Sequence, residues 1–270
     1  MTTSGADHGI FGPGSVTWRV FADPTIAVAS LRALYLQALH PQAVRIVHQY
    51  SSFRADPWRR LVHTADYVGA LTYGTTEQAH RAAARVRAVH RRIPGASDPE
   101  LLLWVHCTEI ESFVDTARRA GLRLSNADAD RYVAEQVEAA RLVGAATAPA
   151  SMAELRAYFT DVRPLLGVTP EAYDIVRFLA LPPMPRALAL GTPARPAWIS
   201  VAALGFALLP RWARRMYRLP GLPTTDIGAT VAVRALRTAL VAVPPAVRDG
   251  PYVKQAKSRV AAGAASSPAT

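Results

Sequence analysis

Asp23-Pro24, Asp56-Pro57, Asp98-Pro99 and Thr169-Pro170 each set a capping side chain directly before proline, at the head of a stretch with helical apolar spacing. The short polar side chain accepts from a free N–H of the first turn, and proline's fixed φ suits the first helical position, where no N–H is needed. Ser125 with Asp128 and Ser151 with Glu154 have the spacing of capping boxes, and Thr75 or Thr76 opens a further helix that ends near Ile93, before Pro94-Gly95. Sustained alternation of β-branched and polar residues is missing, as is an Asn-Gly or Asp-Gly hairpin between apolar runs. The expected fold is therefore all-α: one helical-bundle domain of about nine helices over residues 1–250, then a flexible C-terminal tail over 251–270 that ends in AAGAASSPAT. The Asp23 helix is expected to reach about Leu39, and the proline-rich stretch from Leu181 to Pro196 reads as a long connector.

With 270 residues, 50% of them hydrophobic, the chain can bury a large core without cross-links. Its one cysteine, Cys107, excludes an intrachain disulfide and any cysteine-rich zinc or iron–sulfur site. The formal charge is +11, but the 31 basic residues include only two lysines, Lys254 and Lys257, and the arginines are spread along the whole chain. Dispersed arginine without a binding motif argues for a solvated face and against specific nucleic-acid binding. The N-terminal MTTSGADHGIFGPG has neither a basic start nor an apolar run, so the expected location is cytoplasmic. The most apolar segment, Trp198 to Leu209, has twelve residues, against the roughly 20 that span a bilayer. It reads as a buried or interfacial helix. Its flanking Arg195, Arg211, Arg214 and Arg215, with Trp198, Trp212 and Tyr217, would also suit peripheral contact with a membrane surface.

The candidate chemistry falls to histidine. Ala83, Val86, His90 and Ile93 form one apolar stripe, which turns His90 inward, while Arg81, Arg85, Arg87, Arg91 and Arg92 solvate the rest of that helix. On the preceding helix Arg60, Thr64, Tyr67 and Leu71 share a face, so a guanidinium and a hydroxyl one turn apart can both meet an anionic or oxygen-bearing ligand. LLLWVHC is apolar all round and carries His106 into the core, with Glu109 at i+3 as the expected acceptor for its imidazole. His40, at a helix end before Pro41, reads as a cap, and His8, His48 and His80 as surface residues. Phosphate-cradling glycine loops, a Gly-x-Ser-x-Gly elbow and HExxH are all missing. An apolar helical cavity with inward histidines is a setting in which a porphyrin iron is held.

FGPGSVTWRVFADP, LRALYLQALHP, FRADPWRRLVHTADYV, TYGTTEQA, RVRAVHRRI and DPELLLWVH, in this order over about residues 10 to 250, resemble the mpaB-type oxygenase family, which includes the catalytic domain of latex-clearing rubber oxygenases. The resemblance implies an all-helical, globin-like bundle that holds haem b and uses dioxygen on a carbon–carbon double bond. It carries the family's Arg-x-x-x-Thr pair onto Arg60 and Thr64 and its axial histidine onto His90 in RAVH, with His106 as the fallback axial ligand. Arg60 would then pair with a propionate or polarise dioxygen, and Thr64 would donate a hydrogen bond. Latex-clearing members have a lysine just before that threonine where this chain has His63, which leaves the sixth iron position open to an imidazole, a water or nothing. The implied function is a haem b-dependent oxygenase acting with dioxygen on a small hydrophobic, isoprenoid or lipid-like substrate. The alternative is a non-catalytic haem- or lipid-binding helical module at a membrane surface.

Overall fold

In the computed structural model, residues 7–51 and 56–265 are described, and among them the chain forms α-helices, one 3-10 turn at Arg163–Leu165 and no strand. The helices are α1 (Val16–Phe21), α2 (Ile26–Gln37), α3 (Pro41–Tyr50), α4 (Pro57–Tyr73), α5 (Thr76–His90), α6 (Pro99–Arg119), α7 (Asn126–Val143) and α8 (Met152–Val162). There follow α9 (Pro170–Ala180), α10 (Arg186–Gly191), α11 (Ala194–Ala207), α12 (Arg211–Met216), α13 (Pro223–Val241), α14 (Pro245–Arg248) and α15 (Pro251–Ala265). The class is as expected. The number of segments exceeds nine because loops such as the Leu181–Pro196 connector fold into helices of one or two turns.

Most starts follow their caps. Asp56, Thr75, Asp98, Ser125, Ser151 and Thr169 each accept from a backbone N–H of the first turn, and Thr75 with Gln78 and Ser125 with Asp128 close reciprocal capping boxes. Each such cap is worth about 1 kcal/mol. His40 caps α3 through Nδ1, which accepts from the Ala43 N–H. Asp23 departs from expectation: its carboxylate accepts from the N–H and hydroxyl of Thr25 and from Arg237 of α13, so α2 begins later, at Ile26.

At the centre α6 lies against α2, and Trp104, Cys107, Ile110 and Phe113 are buried on it. On the far side of α2 runs α11, which approaches closely because Gly205 has no side chain: a Cβ there would stand 3.1 Å from the Leu31 Cβ. The α4–α5 hairpin packs on α7. The apolar segment from Trp198 is turned into the molecule, with Ala202, Leu208 and Leu209 buried and the Trp198 indole donating to the Leu179 carbonyl while its ring meets Trp58 edge-on. Among the described residues no helix is long and apolar enough to cross a membrane.

The expected flexible tail from residue 251 is corrected over its first part. Residues 251–265 form α15, which lies against α4 with Ala256 buried and Arg259 donating to the Tyr73 carbonyl at the end of α4. The helix forms because Tyr252, Val253, Ala256 and Val260 make an apolar line at helical spacing, which the small-residue composition after Ala261 obscured. The rest of the expected tail, residues 266–270, lies outside the described residues.

Candidate functional site

Three of the singled-out groups meet at one cavity of about 110 Å³: His90, His106 and Glu109. Its walls follow from helical periodicity. Tyr67 and Leu71 come from α4, Val86 and His90 from α5, Leu102, Val105, His106 and Glu109 from α6, and Gln136, Ala139 and Val143 from α7. On α6, Leu102, Val105 and Glu109 form one partly open line, at i, i+3 and i+7. Val105 is 37% exposed, so the cavity opens to solvent along this line.

The Nδ1 atom of His90 and the Nε2 atom of His106 are both buried without a hydrogen-bond partner among the described residues. Buried polar atoms are almost always satisfied, so each of these two nitrogens is open to a water or to an atom of a ligand. Burial lowers the affinity of both rings for protons, that of His106 to about 4, and the charge of Arg60 adds to the effect at His90. Both imidazoles are thus neutral at pH 7, the form that ligates a metal. The expected hydrogen bond from His106 to Glu109 does not form. Burial alone raises the Glu109 carboxyl to about 7, which leaves it partly protonated near neutrality.

Arg60 and Thr64 continue the Tyr67–Leu71 face of α4 outward by one and two turns, beyond the enclosed part of the cavity. The guanidinium is open to water, yet crowding by protein depresses its affinity for a proton, as expected of a cation facing a cleft. It has no carboxylate partner among the described residues. The Thr64 hydroxyl donates to the Arg60 carbonyl at 3.0 Å, an ordinary helical back-bond. His63 is exposed on the same two turns and does not line the cavity. The structure therefore brings Arg60 electrostatically to His90, gathers His90 and His106 on one cavity, and leaves Thr64 and His63 at its outer edge.

The α7 wall escaped the sequence reading, although Gln136, Ala139 and Val143 carry its signal, a line at i, i+3 and i+7 facing the site. Tyr132 is fully buried with its hydroxyl unpartnered among the described residues, and Gln136 donates to Thr17. His8, assigned to the surface by default, instead has a buried and unpartnered Nδ1. His48 faces Asp174 at 3.3 Å.

Among the described residues no three His, Cys, Asp or Glu side chains converge to hold a metal ion by themselves. A porphyrin iron is held by one or two protein side chains, and the neutral, unpartnered imidazoles of His90 and His106 are groups of the kind that would hold it. The enclosed volume lies below the roughly 300–1,000 Å³ of pockets that hold whole organic ligands, and the cavity is open on the Val105 side. A larger cavity, of about 400 Å³, lies on the opposite face of α6 and shares none of these residues.

No curated protein and no solved structure matches the chain. Its order of motifs does match a described family over most of its length, and the matched span contains every residue of the cavity walls. By its match over residues 18–242, the chain belongs to the family of the ER-bound oxygenase mpaB/B'/Rubber oxygenase catalytic domain.

Proposed function

We infer that this oxygenase-family chain works with haem b and acts on a small hydrophobic substrate in the cavity between α4, α5, α6 and α7. The observation that carries the reading is the buried, unpartnered Nδ1 of His90 on the wall of an apolar cavity. Haem, when bound, supplies the chemistry that activates dioxygen. What the chain contributes is positioning and exclusion of water. His90 would hold the iron, and its neutral form at pH 7 keeps a lone pair available. His106, a turn of α6 away from Leu102 on the same cavity, is the second donor. Arg60, uncompensated by any carboxylate among the described residues, would receive a carboxylate of the cofactor or an oxygen bearing partial negative charge. Leu71, Val86, Leu102 and Val105 give a substrate's hydrocarbon an apolar wall. Glu109, poised near pH 7, can hold or release a proton at its carboxylate beside that wall.

The test is the absorption spectrum and iron content of the full chain purified from cells supplied with haem. A Soret band that is lost in His90→Ala and kept in His106→Ala is the expected result. Loss in His106→Ala alone would move the axial role to His106. Colourless, iron-free protein would overturn the haem reading.

A further inference from the structure

The 400 Å³ cavity on the opposite face of α6 separates two helix faces of matched spacing. On the α6 side stand Glu111, Val114, Asp115 and Arg118, at i, i+3, i+4 and i+7; on the α8 side, running into the 3-10 turn, stand Leu155, Arg156, Phe159 and Arg163. Trp212 also lines it. The volume falls in the range of pockets that enclose organic ligands, roughly 300–1,000 Å³.

Opposite charges face one another across this space, yet among the described residues no ion pair spans it. The acids are engaged elsewhere. Glu111 accepts from the fully buried Arg32 at 3.0 Å, and Asp115 stands 3.3 Å from Arg32 and 3.8 Å from Arg119. Arg156 and Arg163 have no carboxylate partner among the described residues, and Arg118 donates to the neutral amide oxygen of Asn126 at 2.8 Å. Three guanidinium groups, of Arg118, Arg156 and Arg163, thus line the cavity with two carboxylates that already face Arg32. Burial raises the Asp115 carboxyl against the opposing charge of Arg32.

The cationic wall is also organised. The Arg163 Cζ lies 4.9 Å from the centroid of the Trp212 ring, a stacking that holds the guanidinium plane and leaves its edge free for an acceptor. Of two buried apolar side chains on this face, Phe159 lies between the two cations in sequence and Leu155 just before the first, and the Phe159 and Trp212 rings meet at 6.3 Å.

We propose that this cavity binds a small organic anion with an apolar body, its carboxylate held by Arg156 and Arg163 and its hydrocarbon seated on Leu155, Phe159 and Trp212. Guanidinium meets carboxylate through paired N–H donors, while the apolar surface between the two arginines rejects a fully hydrated inorganic anion. The site uses no residue of the His90 cavity and stands whether or not haem binds there.

Calorimetric titration of the full chain at low ionic strength with octanoate, octan-1-ol and inorganic phosphate tests it. Octanoate should saturate one site, Arg156→Gln and Arg163→Gln should each weaken it by roughly tenfold, and His90→Ala should leave it unchanged. Both arginines are exposed, so circular dichroism of the variants should match the parent chain. The absence of saturable octanoate binding, or equal affinity in the Arg156→Gln/Arg163→Gln double variant, would overturn the proposal. Phosphate binding as tight as octanoate would overturn it too, by reducing the site to a bare cationic patch.

Discussion

The charge of Arg60, on the second turn of α4, lowers the proton affinity of His90 at the end of α5, and neither group has a neutralising carboxylate beside it among the described residues. Burial is the larger cause of the His90 shift and Arg60 the smaller one. Arg60→Ala should therefore raise the His90 pKa while leaving it below the ordinary 6.5. An NMR titration of the imidazole in haem-free protein reads this directly, and an unchanged value would separate the two residues.

His106 and Glu109 give stability opposite pH slopes. The His106 pKa falls from 6.5 to about 4 on folding, so its neutral burial costs nothing above 6.5 and stability is lost as pH falls through that window. The Glu109 pKa rises from 4.5 to about 7, so stability is full below 4.5 and is lost as pH rises toward 7. Each window is worth on the order of 3 kcal/mol. Glu109→Gln should raise the urea midpoint at pH 8 and change it little at pH 4.5. A midpoint gain that is equal at both pH values would show that the carboxyl is not the cause.

Arg32 is 1% exposed and bonded to Glu111, the Ser112 hydroxyl and the Leu208 carbonyl. Removing the cation takes the ion-pair partner from Glu111 and leaves Asp115 only the longer contact with Arg119, so Arg32→Met should cost about 3–5 kcal/mol in chemical denaturation. Arg32→Met with Glu111→Leu and Asp115→Leu should recover much of that loss, because the desolvated charges leave together.

Gly69 lets α15 reach α4. A Cβ at this position would stand 2.5 Å from the Tyr252 Cδ2, inside contact distance. Gly69→Ala should therefore cost about 1–3 kcal/mol despite alanine's better helix propensity, and should expose the 251–265 segment to proteolysis. Adding Tyr252→Ala should remove the clash and return α15 to protection. A Gly69→Ala variant as stable as the parent would mean that α15 does not rest there.

Much of the fold was legible because capping is local. Asp56 reaches the N–H of Arg59, and Thr75 that of Gln78, three residues away, so the helix starts were written in neighbouring residues. The inward turn of His90 was equally legible, as a consequence of its place on the Ala83–Val86 stripe. What failed was composition used in place of pattern. It hid α15 behind a small, polar end, and it read the arginines as a solvent face although Arg32 and Arg214 are among the largest fully buried side chains.

The sequence by itself determined where most helices begin, which face of each is apolar, and that His90 and His106 turn inward. Only the tertiary structure decided that α7 closes the cavity, that Glu109 is left without His106 as a partner, and that Glu111 and Asp115 turn to Arg32 and not across to Arg156 and Arg163. Periodicity and capping act over a few residues and are printed in order along the chain. The choice of partner for a buried charge depends on which groups, 79 residues apart in the case of Arg32 and Glu111, lose their water together when the helices pack.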